Sequence, residues 1–260
     1  MIVAAALCPA PPLLVRKLSG AQQVAADLRD ACLASVAELT AAAPGLVAVV
    51  GAAGSTGIWG GTPAFDLARY APGPVLSNGQ GPAGAVGQGP AGAVAGAVGR
   101  SRARAVAGPA ELPSALGVGS WLLGEAGSSA PRVLQSVGAD EPPSRCAAIG
   151  AGLSGAHERV ALLVMADGSA RRGLKAPGYL DERSAGFDAW VENAVRGGRL
   201  DALLAIDPLL AGELMATGRP AWQVLAGALA GHKVSSEVRY CDDPFGVAYL
   251  VASLRVHQEP

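Results

Sequence analysis

The chain has 260 residues, half of them hydrophobic and 16% charged, with a net charge of −1. That length fits one large α/β domain or two small ones with an ample apolar core. The near-zero charge excludes an electrostatic footprint for nucleic acid or an acidic membrane surface. Aromatic residues are only 4% of the chain, so Ala, Val and Leu must build the core. Thirty-six glycines, with lysine only at Lys17, Lys175 and Lys233, point to GC-rich coding sequence. The cysteines Cys8, Cys32, Cys146 and Cys241 form no CxxC pair, which fits reduced thiols and a cytoplasmic location.

The first element is a short apolar strand, Ile2 to Leu7, running into Pro9-Ala10-Pro11-Pro12. Prolines fix φ and cannot donate to a ladder, so this loop is a rigid shelf at a strand's end. Such loops hold ligands in open α/β sheets. A signal peptide fits poorly, because the apolar run is short and no positive segment precedes it. Nor does any segment supply the ~18 uninterrupted apolar residues of a membrane span. Ser19 with Gln22 reads as a capping box opening a long helix. Val24, Leu28, Cys32, Val36 and Leu39 then recur three or four residues apart on its apolar face. Pro44-Gly45 stops it, and Leu46 to Val50 reads as a second buried strand, giving a strand-helix-strand unit with parallel pairing. The loop Gly51–Gly57 is glycine-rich without the GK[ST] of a phosphate cradle and reads as an ordinary turn.

GQGPAGAV occurs twice in succession, at 79–86 and 87–94. The tract lacks the glycine period of collagen and reads as a peripheral, mobile insertion over about 79–110. Leu112 to Gly127 predicts a helix packing Leu116, Trp121 and Leu122, and Arg132 to Val137 a strand. Glu141 to Ala156 predicts a helix opened by Pro142-Pro143. Inside it Gly150-Ala-Gly-Leu-Ser-Gly155 matches GxGxxG, but the next strand, Val160 to Met165, begins five residues after the last glycine and leaves no room for the helix on whose N-terminus a pyrophosphate sits, so a dinucleotide site is rejected. The strand Val160–Met165 ends in a polar loop with Asp167, Ser169, Arg171 and Arg172. Asp207-Pro208 is a helix-opening pair. Residues 235–240 and 246–254 alternate as an antiparallel hairpin around Asp242-Asp243-Pro244. The fold expected is a single α/β domain over 1–260, with a central, mostly parallel or mixed sheet, helices on both faces and a C-terminal antiparallel hairpin.

Four segments carry a likeness. The Pro9-Ala10-Pro11-Pro12 opening, Ala166-Asp-Gly-Ser-Ala170, the run Gly178–Asp188 and Asp242-Asp-Pro-Phe-Gly-Val-Ala-Tyr249 stand in the order found in one family. They resemble the class III extradiol ring-cleavage dioxygenases, B-subunit-like superfamily, over nearly the whole chain outside 79–110. That resemblance implies an Fe(II) centre of two histidines and a carboxylate with open positions, and a base for the phenolic proton. Position by position, the first ligand falls on Ala10 and the second on Ala52 or Ala53. The base falls on Ala170, and the carboxylate survives, shortened, as Asp242. Alanine has no lone pair, so no cofactor is expected.

The function expected is therefore that of a non-catalytic homologue binding a small molecule or a protein partner through the inherited cleft. The cleft candidates are Cys8, Asp167, Ser169, Arg171, Arg172, Asp242 and Asp243. The alternative is an active oxidoreductase with a recruited metal or another chemistry in the same cleft. A thiolate-carboxylate metal site from Cys8, Cys241, Asp167 and Asp242 is one such reading; packing of Cys8 beneath the loop is the simpler one. Arg171-Arg172 reads as a solvated turn or an anion site. His157, His232 and His257 fall away from the motif loops, and no GxSxG elbow supports a serine hydrolase around Ser55 or Ser169. A homodimer is the default assembly.

Overall fold

The computed structural model describes residues 1–19, 25–59, 104–106 and 112–257. Strand β1 (Ile2–Cys8) and strand β2 (Leu46–Ala53) both pair in parallel with strand β6 (Val160–Met165), which lies between them. On the far side of β2, strand β5 (Arg132–Gly138) continues the parallel sheet. Two three-residue strands, β3 (Gly57–Trp59) and β4 (Arg104–Val106), finish that flank, with β3 antiparallel to β5. Beyond β1 come strand β8 (Tyr249–His257) and edge strand β7 (Lys233–Asp242), paired as the expected antiparallel hairpin. Among the described residues the eight strands form one mixed sheet in the order β4-β3-β5-β2-β6-β1-β8-β7.

The central strands read as continuous apolar runs because both of their faces are covered. All six residues of β6 are buried. Ala161, Leu163 and Met165 join one core, and Val160, Leu162 and Val164 join the other, as the period of two requires. The first core lies under helices α2 (Ala26–Ala41) and α3 (Ser114–Glu125), the second under α4 (Pro143–Ser154), α5 (Arg183–Arg196), the short α6 (Pro208–Glu213) and α7 (Arg219–Ala228). No described helix is long and apolar enough to cross a membrane.

The GxGxxG segment has a packing role. A methyl on Gly150 would sit 2.1 Å from the Val224 carbonyl oxygen and 2.5 Å from the Ala228 nitrogen. Glycine lets the backbones of α4 and α7 touch, so the motif serves helix packing inside α4.

Two expectations are corrected. Ser19 ends a one-turn helix, α1 (Arg16–Ser19), and α2 begins at Ala26 after Ala25 in the left-handed region, with no side-chain cap. The capping-box reading failed because the backbone, rather than a side chain, sets that start; Gln22 and Val24 lie outside the described residues. Residues 104–106, inside the expected insertion, form β4, while the duplicated tract lies outside the described residues. His257 is the last residue of β8, and its Nε2 lies 3.0 Å from Ser235 Oγ.

Candidate functional site at the strand edge

Because β1, β2 and β6 are parallel, their C-terminal ends share one edge of the sheet. The β7–β8 turn returns over the same edge, since β8 runs antiparallel to β1. The loop leaving β6 is laced to its neighbours by backbone hydrogen bonds. Ala166 N–H donates to Cys8 at 2.8 Å, Gly168 N–H to Ala248 at 2.8 Å, and Ala248 N–H to Ser169 at 2.9 Å. Gly218 N–H donates to Asp167 at 2.9 Å, and Ala170 N–H to Leu214 at 3.1 Å. A methyl on Gly168 would lie 2.7 Å from the Ala248 methyl and 2.8 Å from Asp188 Oδ1, so only glycine fits at this crossing. The loops bearing Ala10, Ala52 and Ala53, Asp167 to Ala170, and Asp242 thus share one edge.

Asp167 is the chemical centre of that edge. Its Oδ1 accepts the Ala10 backbone N–H at 2.8 Å. The residue is partly exposed, yet its carboxyl is enclosed enough that desolvation pushes its pKa up to about 6, against the lowering effect of the Ala10 bond. Its second oxygen makes no hydrogen bond with the described residues, and no described cation pairs with it. The Cys8 and Cys32 thiols beneath share a hydrogen bond, and both are fully buried, so Cys8 packs under the loop. Burial and that contact push the Cys32 thiol well up, which suits an inert core thiol. The Ala10 and Ala170 methyls are buried beside this carboxyl's loop, and Ala52 and Ala53 are partly exposed at the end of β2.

A polar network holds the loop from the other side. Ser169 donates to Asp188 of α5 twice, from its backbone N–H at 2.9 Å and from Oγ at 2.5 Å. Arg172 Nε donates to Asp243 at 2.7 Å and lies 3.7 Å from Asp188. Arg172 is therefore a staple between loop, helix and hairpin, which corrects the solvated-turn reading; its partners were too distant in sequence to find. Arg171 packs against Gly178, and its Nε is buried without a hydrogen-bond partner.

Other candidates are not brought together. Asp242 is exposed, and its Oδ1 accepts the N–H of Asp243 at 2.8 Å. Cys241 engages Glu192 of α5; its thiol is pushed up to about 12, first by burial and then by that contact. The thiolate reading needed Cys8 and Cys241 together, and they have separate partners. His157 accepts the chain's N-terminal amine through its carbonyl, and His232 precedes β7, so both lie at the opposite edge, away from Ser55 and Ser169. Among the described residues no group of three or more His, Cys, Asp or Glu side chains could hold a metal ion. A shallow groove of about 220 Å³ lies toward that opposite edge, between α2 and the β1–β8 pair. Its polar groups are mutually satisfied: Ser35 and Ser253 hydroxyls lie 3.0 Å apart, and Glu38 pairs with Arg239 and Arg255.

Two site residues went unnoticed in the sequence. Asp188 and Tyr249 each close a segment whose pattern was read, but their roles depend on long-range contacts that spacing does not encode.

No protein-family model matches the chain, and no curated protein matches it. Among solved structures it is similar to an uncharacterized protein, JW3007 from Escherichia coli K12, with a TM-score of 0.57 and 16% sequence identity. The likeness covers 97% of this chain and 99% of that one. At this identity what the two share is the fold.

Proposed function

We propose that this chain is a non-catalytic, extradiol-dioxygenase-like protein that binds a small molecule at the strand edge. One observation carries the reading: Asp167 offers a carboxyl held through one oxygen by Ala10 N–H, with its other oxygen unengaged by the described residues. A held, half-satisfied carboxyl at the C-terminal edge of parallel strands is a ready hydrogen-bonding group for a ligand.

The resemblance implies an Fe(II) centre, and the residues at its positions do not fit one. Ala10, Ala52, Ala53 and Ala170 end in methyl groups, and the remaining carboxylate, Asp242, is exposed and accepts its neighbour's N–H. Metal analysis of anaerobically purified protein tests this directly. Sub-stoichiometric iron and zinc are expected. Stoichiometric metal that is lost in Asp242→Ala contradicts the proposal.

A second reading has its own support. A carboxyl with a pKa of about 6 is poised for proton transfer near neutrality. An enzyme using Asp167 as acid or base would turn over a bound ligand and lose turnover, with binding retained, in Asp167→Asn.

A further inference from the structure

Aromatic side chains are 4% of the chain, yet Tyr240, Phe245 and Tyr249 gather at the turn end of the β7–β8 hairpin. Phe245 is 39% exposed, and its ring centroid lies 6.4 Å from that of Tyr249. Tyr249 is 4% exposed, and its hydroxyl makes no hydrogen bond with the described residues. Tyr249 packs in the same buried cluster as Cys8 and Ala10, and Asp167 accepts the Ala10 N–H, so phenol and carboxyl lie on the same face of the sheet edge. Burial, then Asp167, then Tyr240 push that hydroxyl's pKa up. Burial and then Asp242, Asp27, Cys241 and Asp243 do the same to Tyr240.

The charge around these rings is one-sided. Arg172 neutralises Asp243, whereas Asp27, Asp167 and Asp242 make no ion pair with the described residues. An inorganic cation needs several donors converging at about 2.0–2.6 Å, and these carboxylates form no such group. A larger cation with N–H donors and an apolar body suits them better, because carboxylates and ring faces both attract it.

We infer that the cleft takes a small organic cation, an ammonium on a flat apolar body, hydrogen-bonded to Asp167 Oδ2 and the Tyr249 hydroxyl and covered by Phe245. The inference rests on the cleft-binding reading above and adds the chemical class of the ligand.

The test uses benzylamine, protonated near neutral pH, and its neutral analogue benzyl alcohol, titrated calorimetrically into the full chain. Benzylammonium is expected to bind at least about tenfold tighter than the alcohol. Asp167→Asn should abolish that preference, and Tyr249→Phe should reduce it by about threefold. The comparison within the native protein needs no variant and so does not depend on folding. Equal affinity for the two probes, or a preference that survives Asp167→Asn, overturns the cation assignment and leaves the cleft reading standing. Absence of binding by both probes also overturns it. The cleft reading falls too only if unrelated small molecules fail to perturb the strand edge.

Discussion

The backbone N–H of Ala10 donates to Asp167 Oδ1 at 2.8 Å across 157 residues of sequence, tying the loop after β1 to the loop after β6. The bond fixes the carboxyl's orientation. It does not offset the cost of ionising that carboxyl in an enclosed site, which is why the pKa rises to about 6. Asp167 is a stability liability held in place, which is what the proposed ligand-binding role predicts.

The liability is measurable. The folded state holds the Asp167 proton more tightly than the unfolded chain, whose aspartates titrate near 3.9. The destabilisation is therefore absent below about pH 4, grows as pH rises, and is complete above about pH 6. Asparagine keeps an acceptor for Ala10 N–H and cannot ionise. Asp167→Asn should stabilise the protein near neutral pH by roughly 1–3 kcal/mol and flatten the stability profile between pH 4 and 6. Denaturant unfolding at several pH values checks this. A variant less stable than the native chain near neutrality contradicts it.

Removing Asp188 should lower stability, even though burial pushes its carboxyl up as well. Its loss leaves two buried Ser169 donors unpaired and frees Arg172 from one of its two carboxylate neighbours. Asp188→Ala should cost about 2–4 kcal/mol, and Ser169→Ala about 1 kcal/mol, in urea unfolding. Equal costs would mean that the serine hydroxyl is the only valuable partner.

Gly150→Ala separates packing from helix preference. Alanine gains about 1 kcal/mol of intrinsic helix propensity over glycine. Its methyl, however, meets the α7 backbone at 2.1 Å, where no flexible side chain can yield. A net destabilisation of about 1–3 kcal/mol is expected from overpacking, read as a lower melting temperature. A more stable variant would contradict the close approach of α4 and α7.

Metal affinity should be installable at the positions that the resemblance assigns to ligands. Ala10→His with Ala52→His or Ala53→His, combined with Asp242→Glu, supplies two imidazoles and a longer carboxylate from loops at one edge. Fe(II) affinity should rise by at least about tenfold, or ~1.4 kcal/mol, in anaerobic titration. No gain with either second-position variant, in protein that keeps its melting transition, contradicts the correspondence between these alanines and ligand positions.

Several elements were legible because local chemistry and tertiary environment agree. Val160–Met165 is a bounded apolar run and forms the fully buried centre of the sheet. Asp207-Pro208 opens a helix (Pro208–Glu213), with Asp207 Oδ1 accepting the Leu209 N–H at 2.9 Å. The shared edge of the motif loops followed from parallel pairing, which strand-helix-strand spacing encodes. β3 was not legible, since a three-residue strand owes its existence to its neighbours β5 and β4. The start of α2 escaped for a similar reason, because Ala25 enters the left-handed region without any side-chain signal. Arg172 and Asp243 are 71 residues apart, and nothing local to either announces the pair. Asp242 ends β7 at this edge, and nothing in the residues around it encodes its exposure.

Amide chemical-shift mapping of a small-fragment set on the isotope-labelled chain tests binding at the strand edge most directly. The account predicts that the fragments which bind perturb Ala10, Ala52, Asp167, Ser169 and Tyr249, and that Asp167→Asn weakens them. Binding confined to the groove between Ser35, Glu38 and Ser253, with the strand-edge amides unmoved, would contradict it.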